Sequence, residues 1–187
     1  MNYPKGIRLT GSKNIQYGNR GMSLEEDLNI TNSYYKDNKI AFIYKKPTPI
    51  QITKVNYPSR SKAIITEAYF KEPSTTDYNG IYKGKYIDFE AKETNNTSFP
   101  LANIHKHQIE HIRNILYSGG TCFLIVRFNK KNTTFLLPGK IFIDFIENTD
   151  RKSIPYDFFK ENSFIIESKY MPRLDYIKIV DKLLEVS

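Results

Sequence analysis

The chain has 187 residues, 40% hydrophobic and 26% charged, with 28 Lys and Arg against 20 Asp and Glu for a formal net charge of +8. That length supports one domain with a real core, and that balance excludes the disordered and fibrous classes. No stretch approaches the ~18 apolar residues of a membrane span, and the lone Cys122 sits in the strand-sized apolar run 122–126, where it is expected to pack rather than react.

Along the chain the charge is uneven. Residues 1–24 carry Lys5, Arg8, Lys13 and Arg20 and no acid. Residues 1–20 therefore read as a flexible basic arm. No apolar run follows the first basic residues, so a secretory leader is not expected and a cytoplasmic location is, in keeping with a single cysteine. A helix is predicted next: Ser23 is its N-cap, Glu25, Glu26 and Asp27 suit the positive end of the helix dipole, and Leu24, Leu28 and Tyr34/Tyr35 give it an apolar side. Ile40 to Tyr44 reads as a short strand.

Two β-like runs follow, Ile50 to Val55 and Ala63 to Phe70, separated by Asn56 to Lys62. Pro47, Pro49 and Pro58 cannot donate to a ladder, so the pair is predicted as a protruding ribbon, an insertion over 46–72. Residues 45–71 hold Lys45, Lys46, Lys54, Arg60, Lys62 and Lys71 against Glu67 alone, interleaved with Tyr57, Tyr69 and Phe70. Bases neutralise phosphates and rings stack on nucleobases, so nucleic acid is the expected partner. Outside these two segments the protein is slightly acidic. No basic amphipathic helix points to a membrane surface.

A second hairpin carries the chemistry. Asp77 opens the run 77–83, the chain turns near Gly84, and Lys85 to Glu93 returns. Strand alternation puts Tyr86, Asp88, Glu90 and Lys92 on one face and Ile87, Phe89, Ala91 and Glu93 on the other, toward the core. A turn at Gly84 brings Asp77 beside Glu90. Two carboxylates can hold a hard divalent cation and a lysine can offset charge on a phosphodiester, the requirements of a metal-dependent phosphodiesterase. Asp88 competes with Asp77 as the second acid; Asp77 is preferred, because a cross-strand neighbour approaches Glu90 more closely than a residue one strand repeat of about 7 Å away.

Beyond it, Ala102 to Ser118 is predicted as an amphipathic helix stopped at Gly119-Gly120, with strands at Thr121 to Phe128 and Thr134 to Leu137. Helices at Lys140 to Glu147 and Pro155 to Glu161, a strand at Ser163 to Glu167 and a closing helix from Arg173 to Val186 complete an α/β pattern. His105, His107 and His111 invite a zinc reading, but a zinc site needs three or four ligands and the extra ones are missing; capping, packing or phosphate contact is expected instead.

The strings Lys45-Lys-Pro-Thr-Pro49, Asn56-Tyr-Pro, Arg60-Ser-Lys62, Pro73-Ser-Thr-Thr-Asp-Tyr-Asn-Gly80, Asp88-Phe-Glu-Ala-Lys-Glu-Thr94, Ser98-Phe-Pro100 and His107-Gln108 together resemble the RecU family of Holliday junction resolvases, as do Gly18-Asn-Arg-Gly-Met22 and Pro172-Arg-Leu-Asp-Tyr176. The resemblance implies a restriction-endonuclease-like mixed β-sheet core of the PD-(D/E)xK type flanked by helices, with a β-ribbon stalk entering the junction. It further implies a single nuclease domain over 1–187, working as a homodimer on four-way junction DNA, with magnesium as cofactor, manganese as its substitute, and action on the RecA-type recombinase. Thr75, Asp77, Glu90 and Gln108 match its metal positions, Lys92 its transition-state lysine and Glu25 an auxiliary catalytic acid. Lys45, Arg60, Tyr69 and Phe70 match stalk positions that contact the junction, and Arg20 is a further DNA contact expected from the arm. Two other readings stay open: a non-catalytic junction-binding or recombinase-regulating module, and a sequence-specific restriction-like nuclease, which has no need of a basic stalk.

Overall fold

The computed structural model describes residues 22–71 and 75–185. The first helix, α1 (Leu24–Asp37), begins at a capping box: the Ser23 hydroxyl accepts from the Glu26 N–H, and the Ser23 N–H donates to the Glu26 carboxylate. Its buried side carries Leu24, Leu28 and Tyr35. After β1 (Phe42–Lys45) the chain leaves the body as a ribbon of β2 (Ile50–Asn56) and β3 (Ile64–Phe70), then returns through β4 (Tyr78–Tyr82) and β5 (Lys85–Thr94). β6 (Ser98–Pro100), α2 (Lys106–Tyr117), β7 (Thr121–Phe128), β8 (Thr133–Pro138) and α3 (Gly139–Glu147) follow, then β9 (Ser153–Pro155), α4 (Tyr156–Asn162), β10 (Phe164–Ile166) and α5 (Ile177–Glu185).

Six strands form one sheet in the order β1-β4-β5-β7-β8-β10. Only the β5–β7 pair is parallel, with α2 in the crossover; the other pairs are antiparallel. The Lys83-Gly84 turn between β4 and β5 has both residues at positive φ, 48° and 74°, the conformation a two-residue hairpin favours. Where β1 crosses β4, a Cβ on Gly80 would stand 2.0 Å from the Phe42 carbonyl oxygen, so only glycine lets the strands meet.

The sheet is covered on both sides. Ile87, Phe89, Phe123 and Ile125 pack with Leu28, Tyr35, Tyr176 and Val180 beneath α1 and α5. Leu124, Val126, Phe135 and Leu137 pack with Ile112, Phe142 and Phe159 beneath α2, α3 and α4. Mixed sheet and flanking helices are those expected, with several differences of detail. The polar face of β5 is not a solvent face, because α2 lies over it: Asp88 and Glu90 are each 0% exposed. That helix starts at Lys106 rather than Ala102, since Leu101–Asn103 forms a separate 3-10 turn and the Gln108 carboxamide caps the helix at His105. The closing helix starts at Ile177 rather than Arg173, because the Arg173 guanidinium is drawn to Asp27 and Leu174 bridges to Ser168. The short pair β6–β9 had no legible pattern, each strand being three residues long.

No residue of β2 or β3 is buried. The ribbon spans 50–70 rather than 46–72, for Lys46 stays with the body: its N–H donates to the Asp77 carbonyl at 2.8 Å. Lys45 therefore belongs to β1 and to the root of the ribbon, while Arg60 opens the 3-10 turn (Arg60–Lys62) at its tip.

Candidate active site

The hairpin register decides the site. Tyr78 pairs with Phe89, so Asp77 falls directly opposite Glu90 at the point where β4 begins. The two carboxylates are knitted into each other's backbone: the Asp77 N–H donates to Glu90 Oε2 at 3.2 Å, and the Ala91 N–H donates to Asp77 Oδ2 at 3.2 Å. Lys92, one strand repeat beyond Glu90 on the same face, places its ammonium 2.5 Å from Glu90 Oε1 and 3.8 Å from Asp77 Oδ2. From above, Gln108 of α2 donates through Nε2 to Glu90 Oε1 at 2.8 Å, while its Oε1 accepts from the His105 N–H at 3.0 Å. One side chain thus both caps the helix and ties it to the carboxylate.

Burial and the neighbouring Asp77 carboxylate push Glu90 up from 4.5 to about 7, against the pull of the Lys92 ammonium. One lysine does not offset two closely set acids in a desolvated place. The donor set is of hard oxygens with surplus negative charge, and it fits a hard divalent cation.

Asp77 and Lys92 open onto a cleft of about 730 Å³, walled by the start of α1, the root of the ribbon (Lys45 to Pro49) and Thr75 to Tyr78. Thr75 lines it next to Asp77, its hydroxyl donating to the Thr76 carbonyl at 3.3 Å. Glu93, on the opposite face of β5, accepts from the Leu24 N–H at 2.7 Å and so draws α1 to the cleft. There Glu25 lies 2.5 Å from Lys45, an exposed ion pair worth little to stability. The Glu25 carboxylate is turned to Lys45 and is hydrogen-bonded to neither Asp77 nor Glu90.

Asp88 faces a different set. It takes Lys46 Nζ at 2.8 Å, the Tyr86 hydroxyl at 2.8 Å and the Thr76 hydroxyl, with His111 Nε2 at 3.3 Å. Sequence reasoning passed over Lys46, Thr76 and Glu93, which look like ordinary basic, polar and surface positions until the fold pairs them. Cys122 packs against this region in the core, and burial pushes its thiol up. Of the three histidines, His105 and His107 stack at 5.4 Å while His111 turns to Asp88; among the described residues no three His, Cys, Asp or Glu side chains cluster in a metal-holding group.

The expected DNA contacts are scattered. Tyr69 and Phe70 are 59% and 83% exposed, at the base of the ribbon opposite Gln51 and Ile50. The Tyr69 hydroxyl donates to Glu67 at 2.7 Å. Arg20 lies outside the described residues.

The central hairpin of the mixed sheet thus sets an acid opposite a Glu-x-Lys, beneath a helix that supplies a glutamine. The family model for Recombination protein U (RecU) matches residues 19–182. Two relatives named Holliday junction resolvase RecU, from Oceanobacillus iheyensis and from Staphylococcus aureus strain MRSA252, are each 52% identical over 98% of this chain, covering 99% and 96% of their own lengths. The chain belongs to the RecU family. The structure of Archaeoglobus fulgidus Hjc, a Holliday junction resolvase, aligns with 75% of this chain and 92% of its own at 11% identity and a TM-score of 0.46, and adds nothing to that assignment.

Proposed function

We propose that the chain is a single-domain Holliday junction resolvase, a divalent-metal-dependent endonuclease that nicks four-way DNA junctions in pairs. The observation that carries the reading is Asp77 opposite Glu90, with the Lys92 ammonium between them, at the mouth of a cleft that continues into the root of the basic ribbon.

Asp77, Glu90 and Thr75 would hold magnesium, with manganese as its substitute. The chemistry such a cation supplies when bound is Lewis-acid polarisation of a phosphodiester oxygen and activation of water. Gln108 orients Glu90 through its nitrogen, its oxygen being engaged at the helix cap. Lys92 meets the negative charge that builds on the phosphoryl oxygens. Glu25, across the cleft wall, positions Lys45 toward the backbone of the bound strand. Lys45 and Arg60 grip phosphates at root and tip, Tyr69 and Phe70 present rings to unpaired bases, and Arg20 adds a cation from the N-terminal segment. Two symmetric cuts follow from a homodimer carrying one site per protomer. The same ribbon offers a surface to a RecA-type recombinase, and a DNA-processing role places the protein in the cytoplasm.

The test is nicking of a synthetic four-way junction in magnesium, together with junction binding in calcium. Wild type cuts the junction in two strands; Asp77→Ala and Lys92→Ala lose cutting by more than about 100-fold and keep binding within a fewfold. Tight binding by wild type with no nicking across pH and divalent metals would overturn the nuclease reading in favour of a non-catalytic junction-binding module.

A further inference from the structure

We propose that Asp88 is a positioning residue: acting through Lys46 and Thr76, it fixes the Asp77 carboxylate opposite Glu90. The inference rests on the nuclease reading of that site.

Asp77 sits just past the end of the β1–β4 ladder, whose last pair is Lys45 with Tyr78. Beyond that pair the Lys46 N–H still reaches the Asp77 carbonyl at 2.8 Å. What holds Lys46 in place lies underneath. Its ammonium turns inward to Asp88 Oδ2 at 2.8 Å and to the Thr76 hydroxyl oxygen at 3.0 Å, and the Thr76 hydroxyl donates to Asp88 Oδ1. Tyr86 donates to Oδ2 as well, and His111 Nε2 of α2 stands 3.3 Å from the same oxygen. Asp88 and Thr76 are 0% and 2% exposed, so the pairing is formed away from water, where losing one partner strands the other as an unpaired buried polar group.

Asp88 therefore grips the residues immediately before Asp77 in the chain and immediately across from it on the ribbon root. A carboxylate accepts at roughly four lone-pair sites, and Thr76, Lys46 and Tyr86 take three of them. Asp88 is thus occupied in holding the loop rather than offering oxygens to the cleft. Sites of this kind need their ligands placed within about 0.5 Å by supporting contacts. The support also fixes Lys46 within the ribbon root, so the stalk and the Asp77 carboxylate are located by one ion pair.

The experiment compares Asp88→Asn, Lys46→Met, the double variant, Thr76→Val and Thr76→Ser with wild type. Calcium binding to the DNA-free protein is followed by calorimetry, the magnesium concentration for half-maximal single-turnover nicking is measured, and thermal unfolding is recorded in chelator. Asp88→Asn should weaken calcium binding and raise the magnesium requirement by about 10–100-fold, the range for residues that orient metal ligands. Lys46→Met added to Asp88→Asn should cost no further metal affinity, since the two act as one unit. Should Asp88→Asn not fold, Thr76→Val carries the test: it should weaken calcium binding while Thr76→Ser, which keeps the hydroxyl, restores it. Calcium affinity equal to wild type in Asp88→Asn, or equal in the valine and serine variants, overturns the proposal, as does a loss confined to unfolding temperature. A wild type that binds calcium but leaves the junction uncut removes the nuclease reading and leaves these binding comparisons intact.

Discussion

Glu90 makes the stability of the metal-free protein depend on pH in a direction opposite to most carboxylates. Its proton is held until about pH 7 in the folded state, against 4.5 ordinarily, because burial and Asp77 disfavour the charged form. Between those values the folded protein binds a proton that the unfolded chain has released. Stability is then fully present below about 4.5 and falls as pH rises through 7. A gap of that size is worth roughly 3 kcal/mol, and at this chain length each kcal/mol moves the midpoint by about 2–4 °C. Thermal unfolding in chelator should therefore drop by roughly 6–12 °C between pH 5 and pH 8 from this group. Glu90→Gln, which cannot titrate, should flatten the profile and be the more stable protein at pH 8. Adding magnesium to wild type at pH 8 should recover much of the loss, and adding it to the variant should recover little. An equal pH slope in wild type and Glu90→Gln would refute the reasoning, since the slope would then belong to other groups.

Gln108→Ala removes the cap at His105 and the bond to Glu90 together, so it should cost about 1 kcal/mol of stability and slow nicking by an order of magnitude or more, measured by unfolding and single-turnover assay. Replacing Lys45 and Arg60 by Ala should reduce the slope of log affinity against log salt for the junction by up to roughly 1.8, about 0.9 per lost phosphate contact; an unchanged slope removes both from the interface. Gly80→Ala would drive a methyl against the Phe42 carbonyl, prying β1 from β4, and should destabilise by more than about 3 kcal/mol or prevent soluble expression.

Much of the fold could be read locally. The N-cap at Ser23, the turn at Gly84 and the apolar run 122–126 within β7 each depend on neighbours in the chain, and each formed where expected. The two misplaced helix starts have different causes: a local one at Lys106, where the Gln108 carboxamide caps His105 behind the separate turn Leu101–Asn103, and a distant one at Ile177, where Arg173 is committed to Asp27. The stalk was legible because prolines and charges mark a ribbon that packs on nothing, although its start was set four residues ahead of the first ribbon strand, since Lys46 looks like any base in a basic run.

The sequence by itself determined that an acid, a glutamate and a lysine share one strand-hairpin face, because alternation and a turn are short-range geometry, and it located the two basic segments. Only the tertiary structure decided where each acid stands and what it contacts. Asp77 and Asp88 are both near Glu90 in any strand diagram. The hairpin register places Asp77 across from Glu90 at an open cleft, whereas α2 and the ribbon root close over Asp88 with Lys46, Thr76, Tyr86 and His111. Tyr86 shares the strand of Asp88, but Lys46, Thr76 and His111 come from three other stretches of chain, and their meeting depends on packing that no local pattern encodes.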